Sequence, residues 1–177
     1  MKKENIVLIG FMGCGKSTIG RKLANAIDYE FLDTDELIEQ KTGRKISDIF
    51  ASDGEEAFRQ METDLLQELS ETVTGKVLAT GGGMPMREEN RALMRQVGTV
   101  VFLEAAIETI LERLANDTTR PLATGEDREK RLRPLYEKRY PLYREAAEVV
   151  VDTEGKSFYG ILEELIPLKK KETEGNR

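Results

Sequence analysis

The sequence GFMGCGKS at residues 10–17 fits the phosphate-binding pattern G-x-x-x-x-G-K-[ST]. Its glycines allow backbone N–H groups to turn inward around phosphate oxygens, and the helix expected after it adds a positive N-terminal end. Lys16 is suited to reach the β- and γ-phosphates of a nucleoside triphosphate, and the Ser17 hydroxyl to ligate Mg²⁺. Cys14 is interpreted as a small loop residue, because the chain has no histidine that could activate its thiol. The pattern therefore predicts nucleotide binding.

A pair of carboxylates, Asp33 and Asp35, follows the short apolar segment at residues 31–32. In open parallel sheets ligands bind at the carboxyl ends of the strands, so both acids are expected to face the phosphate loop. One could serve the metal while the other orients an acceptor hydroxyl. Either could equally cap the following helix, and the spacing alone does not decide between these interpretations.

Two arginines on predicted helices are candidates for gripping an anion. Arg59 has Glu55 at i−4 and Glu62 at i+3, which makes either a surface ion-pair ladder or a guanidinium fork held by carboxylates for an anionic substrate. The spacing alone favours the ladder. Arg139 has tyrosines three residues before it and four residues after it, so it either points into a cleft or covers the core with its aliphatic stem.

Gly81, Gly82 and Gly83 follow a predicted strand. Three consecutive glycines are costly in chain entropy, and close approach of a ligand to the backbone or a tight turn would each explain them. Arg120 precedes a proline in the polar segment at residues 116–127, and the residue before a proline favours extended conformations. Its side chain could close from a lid onto a transferring phosphoryl group, or it could be an ordinary solvated arginine.

The predicted secondary structure must bring these groups together. Apolar, β-branched runs predict strands at residues 6–9, 31–33, 77–79, 100–103 and 149–151. Amphipathic spacing predicts helices after residue 15 and at residues 35–41, 47–70 (with Gly54 as a candidate break), 88–96, 107–114, 132–147 (with Pro134 and Pro141 as starts or kinks) and 158–166. Strands that alternate with helices predict an α/β protein with a doubly wound parallel sheet.

The bulk composition predicts one cytoplasmic domain. The 177 residues suit a single α/β domain over residues 1–177. The net charge of −6 disfavours general binding to nucleic acid or to anionic membranes. The single cysteine excludes an intrachain disulfide and fits a reducing compartment. The N-terminal apolar run is too short for a signal peptide, and no run approaches the ~20 apolar residues of a membrane span.

The motifs taken together resemble the shikimate kinase family. The phosphate loop alone is shared by many families, whereas the whole set in this order is specific. The resemblance implies a three-layer P-loop fold similar to that of nucleoside monophosphate kinases, with a five-stranded parallel sheet flanked by helices. It also implies a helical substrate-binding segment at about residues 33–62 and a lid at about residues 113–127. The matching features are GFMGCGKST at 10–18, DTD at 33–35, GEEAFRQME at 54–62, ATGGG at 79–83, RPL at 120–122 and RYPLY at 139–143.

The resemblance also implies a role for each candidate. Lys16, Asp35 and Arg120 would be catalytic, with Asp35 holding the acceptor hydroxyl as the base and Arg120 closing onto the phosphates. Ser17 and Asp33 would support Mg²⁺. The substrate would be held by Asp35, Arg59, Gly81, Gly82, Gly83 and Arg139. ATP would contact Gly13, Cys14, Gly15, Lys16, Ser17, Thr18, Arg113, Arg120, Asp152 and Thr153, with Arg113 stacked on the adenine.

The function that the resemblance implies is transfer of the γ-phosphoryl group of ATP to the 3-hydroxyl of shikimate, in the biosynthesis of chorismate and the aromatic amino acids. A monomer with no nucleic-acid or membrane partner is expected. The alternatives are another small-metabolite kinase such as a gluconate kinase, a nucleoside monophosphate kinase, and a non-catalytic nucleotide-binding switch. The switch lacks the support of an N-K-x-D guanine signature.

Overall fold

The strands form a parallel sheet whose spatial order differs from the chain order. The computed structural model describes residues 4–115 and 127–169. Within these residues the sheet has five strands in the order β2-β3-β1-β4-β5, and each neighbouring pair is parallel. The strands are β1 (Ile6–Ile9), β2 (Glu30–Asp33), β3 (Lys76–Ala79), β4 (Thr99–Glu104) and β5 (Val149–Asp152). The predicted parallel α/β fold is confirmed.

Helices connect the strands, as parallel pairing requires. In the part of the chain that the structure describes, they are α1 (Lys16–Ile27), α2 (Thr34–Thr42), α3 (Ile46–Asp53), α4 (Glu55–Thr72), α5 (Glu88–Val97), α6 (Ile107–Leu114), α7 (Arg128–Ala146) and α8 (Phe158–Leu165), with 3-10 turns at Met84–Met86 and Ile166–Leu168. Along residues 4–115 and 127–169, none of them combines the length and the hydropathy of a transmembrane span.

Two of the predicted helices contain glycine or proline, which disfavour a helix interior. The pattern over residues 47–70 is indeed broken at Gly54, whose φ of 87° lies in the left-handed region that favours glycine. Pro134 and Pro141 both lie inside α7, so neither begins the helix. Each proline leaves the carbonyl four residues before it without its helical donor. Those carbonyls belong to Lys130 and Glu137, which are exposed, so water can satisfy them.

The strand order places the central strand β1 where it can carry a site. All four of its residues are buried, as the apolar run predicts. Its neighbours are β3 on one side and β4 on the other. The strand order therefore switches sides at β1, with β2 and β3 on one side and β4 and β5 on the other. Ligands of open parallel sheets bind at the carboxyl ends of strands at such a point. The segments that follow β1, β2 and β3 meet there.

A buried amide fastens the opposite end of the sheet. Asn5 is only 2% exposed. Its Nδ2 donates to the carbonyls of Val73 at 3.0 Å and Val97 at 2.7 Å, and its Oδ1 accepts from the Lys76 N–H at 2.9 Å. One side chain thus joins the start of β1, the end of α4, the end of α5 and the start of β3.

Replacing Asn5 by alanine is expected to lower the free energy of unfolding by about 2–3 kcal/mol, because it leaves buried backbone groups without partners. Urea denaturation measures the change. The control is Asn25→Ala on the exposed face of α1, where we expect a change within about 0.5 kcal/mol. Equal losses in the two variants would contradict the prediction.

Candidate active site

The phosphate loop connects β1 to α1 with a backbone that needs glycine. Gly13 has φ 78° and Gly15 has φ 99°, a region that other residues rarely adopt. Gly15 directly precedes α1, so the N-terminus of that helix opens on the loop. The Lys16 ammonium donates to the carbonyls of Gly10 at 2.7 Å and Phe11 at 3.1 Å, which holds its charge over the loop.

The two carboxylate oxygens of Asp33 make different contacts, one with the start of α2 and one with Ser17. Its Oδ1 accepts from the N–H groups of Asp35 at 2.9 Å and Glu36 at 3.2 Å, which caps α2. Its Oδ2 accepts from the Ser17 hydroxyl at 3.3 Å. A hydroxyl and a carboxylate oxygen this close are the hard oxygen donors that Mg²⁺ prefers, so the pair fits the ion.

The glycine turn at residues 81–83 lies directly against carboxylates and a guanidinium. A Cβ on Gly81 would be 2.9 Å from Asp35 Oδ1 and 3.2 Å from Glu62 Oε2. A Cβ on Gly83 would overlap the Arg59 guanidinium. Only glycine therefore lets the backbone approach these groups so closely.

Arg59 does not belong to a surface ladder. Its side chain is 12% exposed, and its Nη1 donates to Glu62 Oε1 at 2.5 Å, while the Glu62 side chain is fully buried. The bond to the exposed Glu55 is longer, at 3.4 Å. The interpretation that spacing alone favours is thus wrong, because Glu62 faces the interior of the molecule. The guanidinium is held by a buried carboxylate beside the glycine turn.

Arg139 approaches the same turn from α7. It is buried, and a Cβ on Gly82 would lie 3.3 Å from its Nη1 and 3.6 Å from the hydroxyl oxygen of Tyr143. That hydroxyl donates to the Gly82 carbonyl at 2.6 Å. The Arg139 guanidinium also lies 5.9 Å from the centre of the Phe11 ring. Arg59 and Arg139 therefore flank adjacent glycines of one turn.

Burial raises the pKa values of the two acids beside this turn. Burial, and after it the charge of Asp33, raise the pKa of Asp35 to about 6. Burial also raises the pKa of Glu62 to about 7, against the lowering effect of its ion pair with Arg59. The second oxygen of Glu62 is buried, and none of the described residues gives it a hydrogen bond.

One cleft of 2030 Å³ collects most of the predicted site residues. Arg113 lies at its edge and donates to the Gly13 carbonyl at 3.2 Å. The predicted residues that line it are Gly13, Cys14, Gly15, Lys16, Ser17, Thr18, Asp33, Asp35, Arg59, Gly81, Gly82, Gly83, Arg113, Arg139 and Thr153.

Two predicted ATP contacts are not among these lining residues. Asp152 lines a separate cavity of 540 Å³ together with Glu104 and Tyr136. It is exposed, and its Oδ1 accepts from the N–H of Glu154. Arg120, with most of the predicted lid, lies outside the described residues.

Sequence reasoning missed several residues of the cleft. Phe158 and Tyr159 at the start of α8 line it beside Thr153, although they are 48% and 81% exposed. Two adjacent aromatic residues at a helix start carry no sequence signal of this kind. Tyr143 does not line the cleft but contacts the glycine turn, and its sequence position indicates this, because it lies one helical turn after Arg139 and so shares its face.

Comparison with known proteins identifies the family. Residues 12–168 match the family described as shikimate kinase (SKI). A shikimate kinase from Thioalkalivibrio sulfidiphilus is 50% identical over 162 residues, which cover 92% of this chain and 85% of that protein. The chain belongs to the shikimate kinase family. The predicted family and the predicted activity, ATP- and Mg²⁺-dependent phosphorylation of a shikimate hydroxyl, are thereby confirmed.

Two further relatives agree with this family assignment. A shikimate kinase from Francisella philomiragia is 44% identical over 173 residues, 98% of each chain. The solved structure of the shikimate kinase from Acinetobacter baumannii, in complex with shikimate, has a TM-score of 0.85 and 42% identity, and the match covers 94% of this chain and 92% of that chain. The three-layer P-loop fold is confirmed as that of the family.

Replacing Asp35 by asparagine is expected to stabilise the protein at about pH 8 by about 1–3 kcal/mol. Its pKa is raised from 3.8 to about 6 in the folded state, so the wild type loses stability as the pH rises from about 4 to about 7. The asparagine variant escapes that loss, so the difference between the two proteins should disappear near pH 4. Urea denaturation at a series of pH values measures it.

Asp53→Asn is the control with the opposite sign. The hydrogen bond from Arg44 lowers the pKa of Asp53 to about 2, so its carboxylate contributes stability at neutral pH that is lost on acidification. This variant should be less stable than the wild type at about pH 8. If the stability differences of both variants from the wild type changed with pH in the same direction, the raised pKa of Asp35 would be contradicted.

Proposed function

We propose that the chain phosphorylates the 3-hydroxyl of shikimate with Arg59 and Arg139 gripping the substrate carboxylate at the glycine turn. The observation that supports this most directly is that both guanidinium groups lie against adjacent glycines, Gly83 and Gly82. A planar carboxylate prefers the fork of arginine donors to the point charge of lysine. Two arginines with little solvent exposure also explain how a protein with a net charge of −6 can retain an anion.

Asp35 is the proposed base. It lies beside Gly81, at the opposite end of the glycine turn from Gly83, which lies against Arg59. After burial, the charge of Asp33 raises its pKa, and the charges of Lys16 and Arg59 lower it. With a pKa of about 6 the carboxylate is mostly ionised in neutral solution, so it can accept the proton of a substrate hydroxyl. We assign it the orientation of that hydroxyl toward the γ-phosphorus.

Lys16 and the N–H groups of the phosphate loop are proposed to hold the phosphates. The ammonium lies over the loop carbonyls, from which it can move to phosphate oxygens. Ser17 and Asp33 are the residues that would hold Mg²⁺, which when bound neutralises charge on the transferring phosphates. Catalysis in this scheme is positioning and charge stabilisation rather than covalent chemistry.

The remaining assignments rest on the family resemblance. Arg113 is proposed to stack on the adenine, which agrees with its position beside Gly13. The segments at about residues 33–62 and 113–127 are proposed as the substrate-binding segment and the lid of one domain. We further propose a monomeric, cytoplasmic enzyme without a nucleic-acid or membrane partner. The net charge of −6 disfavours binding to nucleic acid or to anionic membranes.

The test of this function is ADP release from ATP with and without shikimate, compared between the wild type and Arg59→Ala. The variant is expected to lose shikimate-dependent turnover, by on the order of a hundredfold or more, because the Glu62 carboxylate is left buried and the anion loses a fork. Its affinity for ATP, measured by calorimetry, should stay within about twofold, because the ion pairs of Arg59 are with Glu55 and Glu62 of α4.

Arg44→Ala is the matched control, since Arg44 forms an exposed ion pair with Asp53 at 2.8 Å. It should keep wild-type turnover. Gluconate and nucleoside monophosphates serve as alternative acceptors in the same assay. A wild type that released ADP with one of them and not with shikimate would refute the proposed function, and near-normal turnover of Arg59→Ala would refute the site.

Arg120→Ala is expected to lower kcat by on the order of a hundredfold and to change the KM for shikimate much less, because a lid arginine acts on charge that develops in the transition state. Steady-state kinetics with both substrates measures this. Arg133→Ala is the control, because Arg133 pairs with Glu108 and Glu129 on the exposed side of α7. A change in KM alone would exclude the lid role.

A further inference from the structure

The helix that carries Arg139 also holds the glycine turn with a second side chain. Tyr143 lies one turn further along α7, and its side chain is completely buried. Its hydroxyl donates to the Gly82 carbonyl at 2.6 Å. Arg139 and Tyr143 thus reach the same residue of the turn from the same face of one helix.

The ring and the hydroxyl of Tyr143 have separable tasks. The ring packs in the core against Phe102 of β4, with the ring centres 5.2 Å apart, and a phenylalanine would keep that contact. The hydroxyl adds nothing to this packing, and burying it costs free energy unless it is hydrogen-bonded. Burial raises its pKa well above the ordinary tyrosine value, so it stays protonated and remains a donor.

The bond acts on the orientation of a peptide group. The carbonyl of Gly82 and the N–H of Gly83 belong to one planar, trans unit and point in opposite directions. Glycine has few conformational restraints of its own, so a turn of three glycines needs outside contacts to keep one orientation. Because Gly83 lies against Arg59, the peptide that Tyr143 fixes joins the residue beside Arg139 to the residue beside Arg59.

We propose that Tyr143 is a positioning residue for the substrate anion: its hydroxyl fixes the Gly82–Gly83 peptide relative to Arg139, so that both guanidinium groups converge on one carboxylate. This inference rests on the proposed function of Arg59 and Arg139. Tyr143 itself makes no contact with the substrate in this scheme. Its contribution is to remove the alternative orientations of the turn before the anion binds.

The test is Tyr143→Phe, with steady-state kinetics in both substrates and a thermal unfolding curve. The KM for shikimate should rise on the order of fivefold to thirtyfold, as expected for a buried carbonyl that loses its donor at a binding site. The KM for ATP should stay within about twofold, because the lost hydrogen bond goes to Gly82 of the glycine turn and not to the phosphate loop. Calorimetric titration with shikimate should show the same loss of affinity as the KM.

Tyr136→Phe is the matched control. Tyr136 lies on the same helix and donates its hydroxyl to a backbone carbonyl, that of Ala105, at 2.8 Å. This variant loses the same kind of bond away from the glycine turn, so its KM for shikimate should equal that of the wild type. Equal rises in the two variants would overturn the proposal, since they would show a general effect of α7.

The other outcomes are also decisive. An unchanged KM for shikimate in Tyr143→Phe overturns the positioning role while the proposed function stands, whereas a wild type without shikimate-dependent turnover removes the proposed function itself. If Tyr143→Phe does not fold, Gly82→Ala replaces it, because the added methyl would lie 3.3 Å from Arg139 Nη1 and 3.6 Å from the Tyr143 hydroxyl oxygen and so disturb the same contact. A selective rise in the KM for shikimate supports the proposal, and an unchanged KM overturns it.

Discussion

The absence of side chains at residues 81–83 is the constraint on which the site depends. Where a Cβ would stand, the structure has the Asp35 and Glu62 carboxylates beside Gly81, Arg139 beside Gly82 and Arg59 beside Gly83. Groups from α2, α4 and α7 can therefore meet on one stretch of backbone after β3. The strand order brings that stretch beside the phosphate loop, because β3 and β1 are neighbours in the sheet.

The charges at this turn are held together by contacts within the protein. Arg59 is paired with the buried Glu62, and the raised pKa values of Glu62 and Asp35 show that the site already crowds negative charge in a poorly solvated place. Such an arrangement costs stability, and protein sites keep it where charge must be ready for a reaction. Fixed dipoles and charges of this kind need little reorganisation during the transfer of a phosphoryl group.

Much of the fold and part of the site could be predicted from the sequence, for identifiable reasons. The phosphate loop is a local pattern, and the apolar runs of the strands are too, so the parallel sheet followed from local information. The burial of Arg59 could not be predicted, because it depends on Glu62 facing the interior, which i+3 spacing does not reveal. The position of Asp152 in a separate cavity depends on how β5 ends beside β4. The bond from Tyr143 to the glycine turn joins segments 61 residues apart.

The buried amide of Asn5 stabilises the end of the sheet that lies opposite to the cleft. It ties the amino ends of β1 and β3 to the ends of α4 and α5, while the reactive groups gather at the carboxyl ends of the same strands. We therefore expect sequence changes around this amide to alter the stability of the fold more than the reaction. Engineering for heat resistance can therefore begin at this end of the sheet, which is separated from the residues that line the cleft.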